Sequence, residues 1–192
     1  IQRPVLFDLV YQAAREAGAN IVPSTRIIAA QAVGGYLTTG DGKTLGPFDL
    51  VVDALGVRSP LSSRPRSQLA YGALWATLPW QEGHGFERNA LAQRYRQARQ
   101  MAGVMPSGRS EEEGVDTLTY FWSIRTDQYQ AWKQAPLSAW KAEAVALWPE
   151  TAVFLDQLKS HAQLTYAEYD HRTHAPAVNQ RLVHIGDSWH AA

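Results

Sequence analysis

Two acid-bearing turns, far apart in the chain, carry the residue types that could do chemistry. The first is Val51-Val-Asp-Ala-Leu-Gly-Val-Arg-Ser59, where an apolar run meets Asp53, Gly56, Arg58 and Ser59. The second is Leu182-Val-His-Ile-Gly-Asp-Ser-Trp-His190, where a short apolar run meets Gly186, Asp187 and Ser188. Each reads as a buried strand that ends on a glycine and a carboxylate. A strand that delivers a carboxylate to the mouth of a helix is how α/β proteins hold the sugar and phosphate parts of a cofactor. On this reading Gly56 lets the backbone come close to a ligand and Arg58 faces a phosphate. The alternative for both stretches is an ordinary strand-end turn with solvated side chains. Asp187 and Ser188 also favour helix N-caps. The sequence stops at Ala192, so the helix they would cap is missing and the end reads as cut.

The histidines offer a second chemistry. His171 and His174 flank a strand-to-loop transition beside Asp170, and His184 and His190 follow. A metal site could be drawn from them, but the first pair lacks the helical i, i+4 spacing of a zinc protease, so no metal is expected. No G-x-S-x-G elbow is present either, which leaves nucleophilic hydrolysis without its nucleophile.

Composition bounds the rest. The 192 residues suffice for one large domain, or one domain and part of another. Formal charge is zero, so nothing favours nucleic acid or an anionic membrane as partner. There is no cysteine, which removes disulfides and thiolate metal sites and is compatible with a reducing, cytoplasmic setting. No apolar run approaches the roughly 18 residues of a membrane-spanning helix. The chain opens on Ile1-Gln2-Arg3-Pro4 with neither an initiator Met nor a signal-peptide pattern, and this end too reads as cut.

The elements that must position the two turns can be read in order. Apolar residues at 5, 6, 9, 10, 13, 14 and 17 predict a helix between Pro4 and Gly18. Short strands are expected at Ile21–Val22, Arg26–Val33 and Tyr36–Thr39, then a buried strand at Phe48–Val52. The texture changes after a polar linker at Ser62–Ser67. Strands follow at 69–80, Leu91–Gln97, Gln100–Met105 and Leu118–Ile124. Helices are expected from Asp127, as N-cap, to Trp132, at Leu137–Leu147 and at Thr151–Leu158. A strand at Leu164–His171 leads back to the second turn. The chain therefore reads as α/β with an α+β insertion. Residues 1–64 and 172–192 make a partial, Rossmann-like α/β domain, and 65–171 an antiparallel sheet backed by helices.

In this order and spacing the two turns resemble those of the FAD-dependent aromatic hydroxylases. These are the single-component flavoprotein monooxygenases that include the p-hydroxybenzoate and ubiquinone-pathway enzymes. The late Gly186-Asp187 with His190 is similar to the family's Gly-Asp…His motif, and the resemblance implies that Asp187 binds the ribityl part of FAD. Arg3-Pro-Val-Leu6 resembles the family's Arg-x-x-Leu helix start, which implies that Arg3 lies near the flavin. The remaining cofactor candidates are Asp53, Gly56, Arg58, Ser59 and Gly186. The departures are specific. No GxGxxG is present; Leu55-Gly56 stands where many members have Asp-Gly, the acid Asp53 coming two positions sooner; and Trp189 is bulky where a small residue is usual.

The resemblance implies reduction of FAD by NAD(P)H and oxygen transfer to a small aromatic or apolar substrate. The middle sheet would then be the substrate domain. Tyr71, Trp75, Tyr120 and Trp122 are candidate pocket lining; the alternative, and the commoner role of aromatics alternating on strands, is packing of sheet against helices. Without a pyrophosphate-binding segment the chain alone is expected to retain little flavin. The rival readings are a non-enzymatic interaction module on a hydroxylase-like sheet, and another flavin enzyme, a reductase or a halogenase.

Overall fold

The structure, a computed structural model, describes residues 3–62, 67–110, 114–173 and 180–191. By Cα proximity the chain divides into two compact units, one of residues up to 13 with 70–168, the other of 14–69 with 169 onward.

Helix α1 (Arg3–Glu16) comes first. Strands β1 (Ile27–Gln31), β2 (Tyr36–Thr39) and β3 (Thr44–Leu45) make an antiparallel meander, and β4 (Val51–Asp53) follows. The expected strand at Ile21–Val22 does not form, because Pro23 directly after it removes a ladder donor. The strand expected from Phe48 begins only at Val51, since Phe48 N–H is already spent on the Gly35 carbonyl (2.8 Å).

The sheet unit is built on β5 (Ser67–Pro79), β6 (Ala92–Arg96), β7 (Gln100–Arg109) and β8 (Asp116–Arg125). With β9 (Thr165–Thr173) and β11 (His190–Ala191) they form one six-stranded sheet in the order β11-β9-β5-β8-β7-β6. Strand β7 runs past Pro106, where it was expected to stop. The register shifts between Pro106 and Gly108, and such a bulge is where a strand tolerates a residue with no N–H.

Alternation along β5 and β8 divides the sheet into two faces. Leu74 opposes Trp122 and Ala76 opposes Tyr120, all buried against the helices. The helical cover is α2 (Tyr129–Gln134), α3 (Leu137–Leu147) and the single turn α4 (Ala152–Leu155), which supply Trp132, Trp140, Ala144, Phe154 and Leu155 to that core. Trp140 stands at its centre, edge-on to Trp122 (6.1 Å between ring centroids), Tyr120 (6.3 Å) and Trp132 (6.1 Å). Asp127 does not cap α2 as expected. Its carboxylate is held by Arg125 (2.6 and 3.0 Å), and a 3-10 turn leads into the helix instead. The helix expected to reach Leu158 ends at Leu155, because Gln157 and Leu158 bond back to i−3 carbonyls and tighten the chain into turns.

Tyr120 is fully buried, and its hydroxyl finds no hydrogen-bond partner among the described residues. Burial, reinforced by the Glu143 carboxylate, pushes the phenol well above its ordinary range, so the group stays neutral. An unpaired buried hydroxyl costs roughly 1–3 kcal/mol. Tyr120→Phe, which keeps the ring, is therefore expected to raise stability by about 1 kcal/mol in urea unfolding. A loss of stability would show that the hydroxyl has a partner.

Candidate functional site

The second unit brings the two turns together. Strand β10 (Leu182–His184) pairs with β4 in parallel, Leu182 opposite Val51, Val183 opposite Val52 and His184 opposite Asp53. The pairing continues past the strand end through Ile185 N–H to the Asp53 carbonyl (2.9 Å). Apolar Val51 and Leu182 are buried, and this drives the association of segments 131 positions apart.

At the end of this pair the Asp53 carboxylate, in a residue only 2 % exposed, collects donors from both turns. Its Oδ1 accepts from Leu55 N–H (2.9 Å) and the Ser188 hydroxyl (3.1 Å). Its Oδ2 accepts from the Ser59 hydroxyl (2.6 Å) and from His184 Nδ1 (2.7 Å). An ionised carboxylate only accepts, so the His184 proton in this bond sits on Nδ1. Burial alone would push the Asp53 carboxyl up. The bonds from Ser59, Leu55, His184 and Ser188 outweigh it and hold the group below the usual Asp value. The Ser188 hydroxyl also reaches the Gly56 carbonyl (3.2 Å), and the Ser59 oxygen accepts from Leu61 N–H (3.1 Å).

The candidates thus fall into two sets. Asp53 and Ser59 are buried and bonded to protein groups. Asp187 and Arg58 are exposed, and no hydrogen bond or ion pair engages either side chain among the described residues. Gly56 (φ +78°) and Gly186 (φ +54°) adopt the left-handed backbone their turns need, and the space a Cβ would take is open at both. Arg3 is the first residue of α1; its side chain lies outside the described residues. Gly186–Ser188 form one 3-10 turn, and β11 follows it. Ser188 is the last residue of that turn rather than its cap, and its hydroxyl is directed at Asp53 and Gly56.

The sequence did not single out His184 and Ser188 for this role. The signal was there: a histidine interrupts an apolar run at the register where the other strand ends on an acid. Of the remaining histidines, His190 Nδ1 meets the Thr173 hydroxyl (2.7 Å), the His171 and His190 rings are edge-to-face at 5.9 Å, and His174 lies outside the described residues. Among the described residues no three His, Asp or Glu converge as metal ligands.

The four aromatic candidates fall on two faces of the sheet. Tyr120 and Trp122 lie on the helix-covered face and are core residues. Tyr71 and Trp75 lie on the opposite face, where Trp75 opposes Phe121 and is 38 % exposed. Phe121 in turn covers Gly103, whose missing side chain leaves room for the ring. Near Tyr71 this open face bears a cavity of about 190 Å3, lined in part by Tyr95, Arg99, Met101 and Ser123.

No family model matches the sequence, and no curated protein matches it in sequence. Solved structures do match. A mutant of 2-methyl-3-hydroxypyridine-5-carboxylic acid oxygenase superposes with a TM-score of 0.73 at 20% identity, covering 98% of this chain and 50% of that one. PqsL of Pseudomonas aeruginosa in complex with 2-aminobenzoylacetate gives 0.70 at 15% identity, over 95% of this chain and 50% of that one. A mutant of Klebsiella pneumoniae HpxO complexed with FAD gives 0.60 at 14% identity, over 87% and 44%. The chain therefore has the fold of FAD-dependent monooxygenases and spans about half the length of these proteins. No helix among the described residues is long and apolar enough to cross a membrane.

Proposed function

We propose that the chain supplies the ribityl-binding turn and the substrate-covering sheet of an FAD-dependent monooxygenase acting on a small aromatic or apolar molecule. The observation that carries the reading is the junction of β4 and β10, where Asp53 ties two turns together and leaves Asp187 turned outward. The residues present fit the cofactor. Asp187 offers a free carboxylate to sugar hydroxyls, Gly56 and Gly186 leave open space for a close approach, and Arg58, on the same turn as Gly56, has an exposed, unengaged guanidinium. When bound, FAD would supply the redox chemistry with oxygen, and NAD(P)H is the proposed reductant. The protein's share is to bind and orient the cofactor and to exclude water. The open sheet face, with Tyr71, Trp75 and Phe121, suits an apolar or aromatic substrate.

FAD titration, followed by quenching of flavin fluorescence, tests this in the protein translated from the complete coding sequence. Asp187→Ala is expected to weaken binding roughly 10- to 100-fold, the effect of losing a charge-assisted hydrogen bond of about 1.5–3 kcal/mol. Equal affinity of wild type and variant would remove Asp187 from the site, and no binding by wild type would end the flavin reading.

A further inference from the structure

Arg172, the penultimate residue of β9 and in the second unit's part of it, is 5 % exposed. Its neighbours His171 and Thr173 are both exposed, so strand alternation turns this guanidinium inward. Two of its nitrogens, Nε and Nη1, are buried without a hydrogen-bond partner, and no carboxylate among the described residues forms an ion pair with it. A guanidinium cannot shed its charge at any physiological pH. Buried arginines are accordingly found paired, because an uncompensated charge costs several kcal/mol.

The register places this charge next to the site already described. Arg172 is directly opposite Ala191 on β11, and Thr173 is opposite His190. Strand β11 begins two residues after the Gly186–Ser188 turn. The Thr173 hydroxyl and His190 Nδ1, 2.7 Å apart, cross-link the two strands one position further along.

We propose that Arg172 is the anchor of an oxyanion-binding site in the second unit, taking a carboxylate or phosphate group of a ligand. A guanidinium matches the shape and hydrogen-bond pattern of both anions, and binding one would pair the charge that the fold leaves unpaired. The site does not depend on the flavin reading. A phosphate occupant would point to a nucleotide, a carboxylate to an acidic substrate.

Thermal unfolding of the protein in the presence of sodium pyrophosphate, inorganic phosphate, benzoate or acetate, each against sodium chloride at equal ionic strength, tests the proposal. At least one oxyanion is expected to raise the melting temperature of the wild type in a saturable way. Arg172→Met, which keeps the length and removes the charge, is expected to melt no lower than wild type without anion and to lose the response by tenfold or more in apparent affinity. Arg172→Lys, which keeps a charge without the fork, is expected to retain part of it. A response to pyrophosphate or phosphate alone assigns the site to a phosphate group, and a response to benzoate or acetate alone to a carboxylate. Absence of any saturable response in wild type overturns the proposal. So does a methionine variant that melts lower and binds the anion as before, because the arginine would then be structural. FAD titration of the same variants keeps the two readings apart: the oxyanion site can fail with flavin binding intact, and the reverse.

Discussion

Trp122→Ala is expected to cost the sheet unit about 3–5 kcal/mol, the usual range for emptying a buried tryptophan site. For a chain of this length that lowers the melting temperature by on the order of 10 °C. The side chain is 3 % exposed, and its ring meets Trp140 edge-on at 6.1 Å. Trp140 also touches Tyr120 and Trp132 in the same geometry, so the cavity opens in the middle of an aromatic cluster and cannot close by a local shift. Ligand affinity per folded molecule is expected to stay as in wild type, because the residue faces the helices. Trp75→Ala is the matching control on the other face. With 38 % exposure it is expected to change stability by less than about 1 kcal/mol and, on the proposed function, to weaken binding of an aromatic substrate. Urea unfolding and substrate titration of both variants decide the matter. A Trp122 variant of normal stability with weakened substrate binding would return that residue to the pocket.

The contrast between these tryptophans shows where the sequence stops being informative. Alternation along Leu118–Ile124 and 69–80 was sufficient to locate both strands and to sort each strand's residues into two sets. It could not say which set of one strand shares a face with which set of the other, because that is fixed by register. The antiparallel register of β5 on β8 puts Trp75 beside Phe121, and Tyr120 and Trp122 beside Ala76 and Leu74. Local chemistry was legible for a similar reason at the two turns. Gly, Asp and Ser at strand ends are unusual enough to mark them, and parallel pairing of their strands is what the fold supplied. What no local pattern could give was the division of labour between the two acids. Asp53 and Asp187 look alike in sequence, and only the pairing of His184 with Asp53 shows that one is enclosed and the other left outward. Ser188, whose type favours helix caps, lies inside a 3-10 turn and directs its hydroxyl to Asp53, a partner reached only through tertiary pairing.

That enclosed acid is the site of the second large effect. Asp53→Ala leaves Leu55 N–H, the two serine hydroxyls and the His184 ring facing an empty, buried acceptor site. Removing one partner of a buried charged network costs about 3–5 kcal/mol, and the loss is expected in the second unit. Amide exchange should show it at Val51–Asp53 and Leu182–His184, with the β5–β8 core unchanged. Asp53→Asn separates charge from shape. The folded carboxyl is held below its ordinary value, so the unfolded chain takes up the proton first as pH falls. The stabilisation from the carboxylate is thus fully present above the ordinary Asp value of about 3.9 and declines as pH drops below it. Other acids titrate alike in both proteins, so the stability difference between wild type and Asp53→Asn is expected to shrink as pH falls below about 4. A difference that stays constant down to pH 2, measured by urea unfolding across the range, would mean that the carboxylate's charge contributes nothing and that the four donors need only an oxygen.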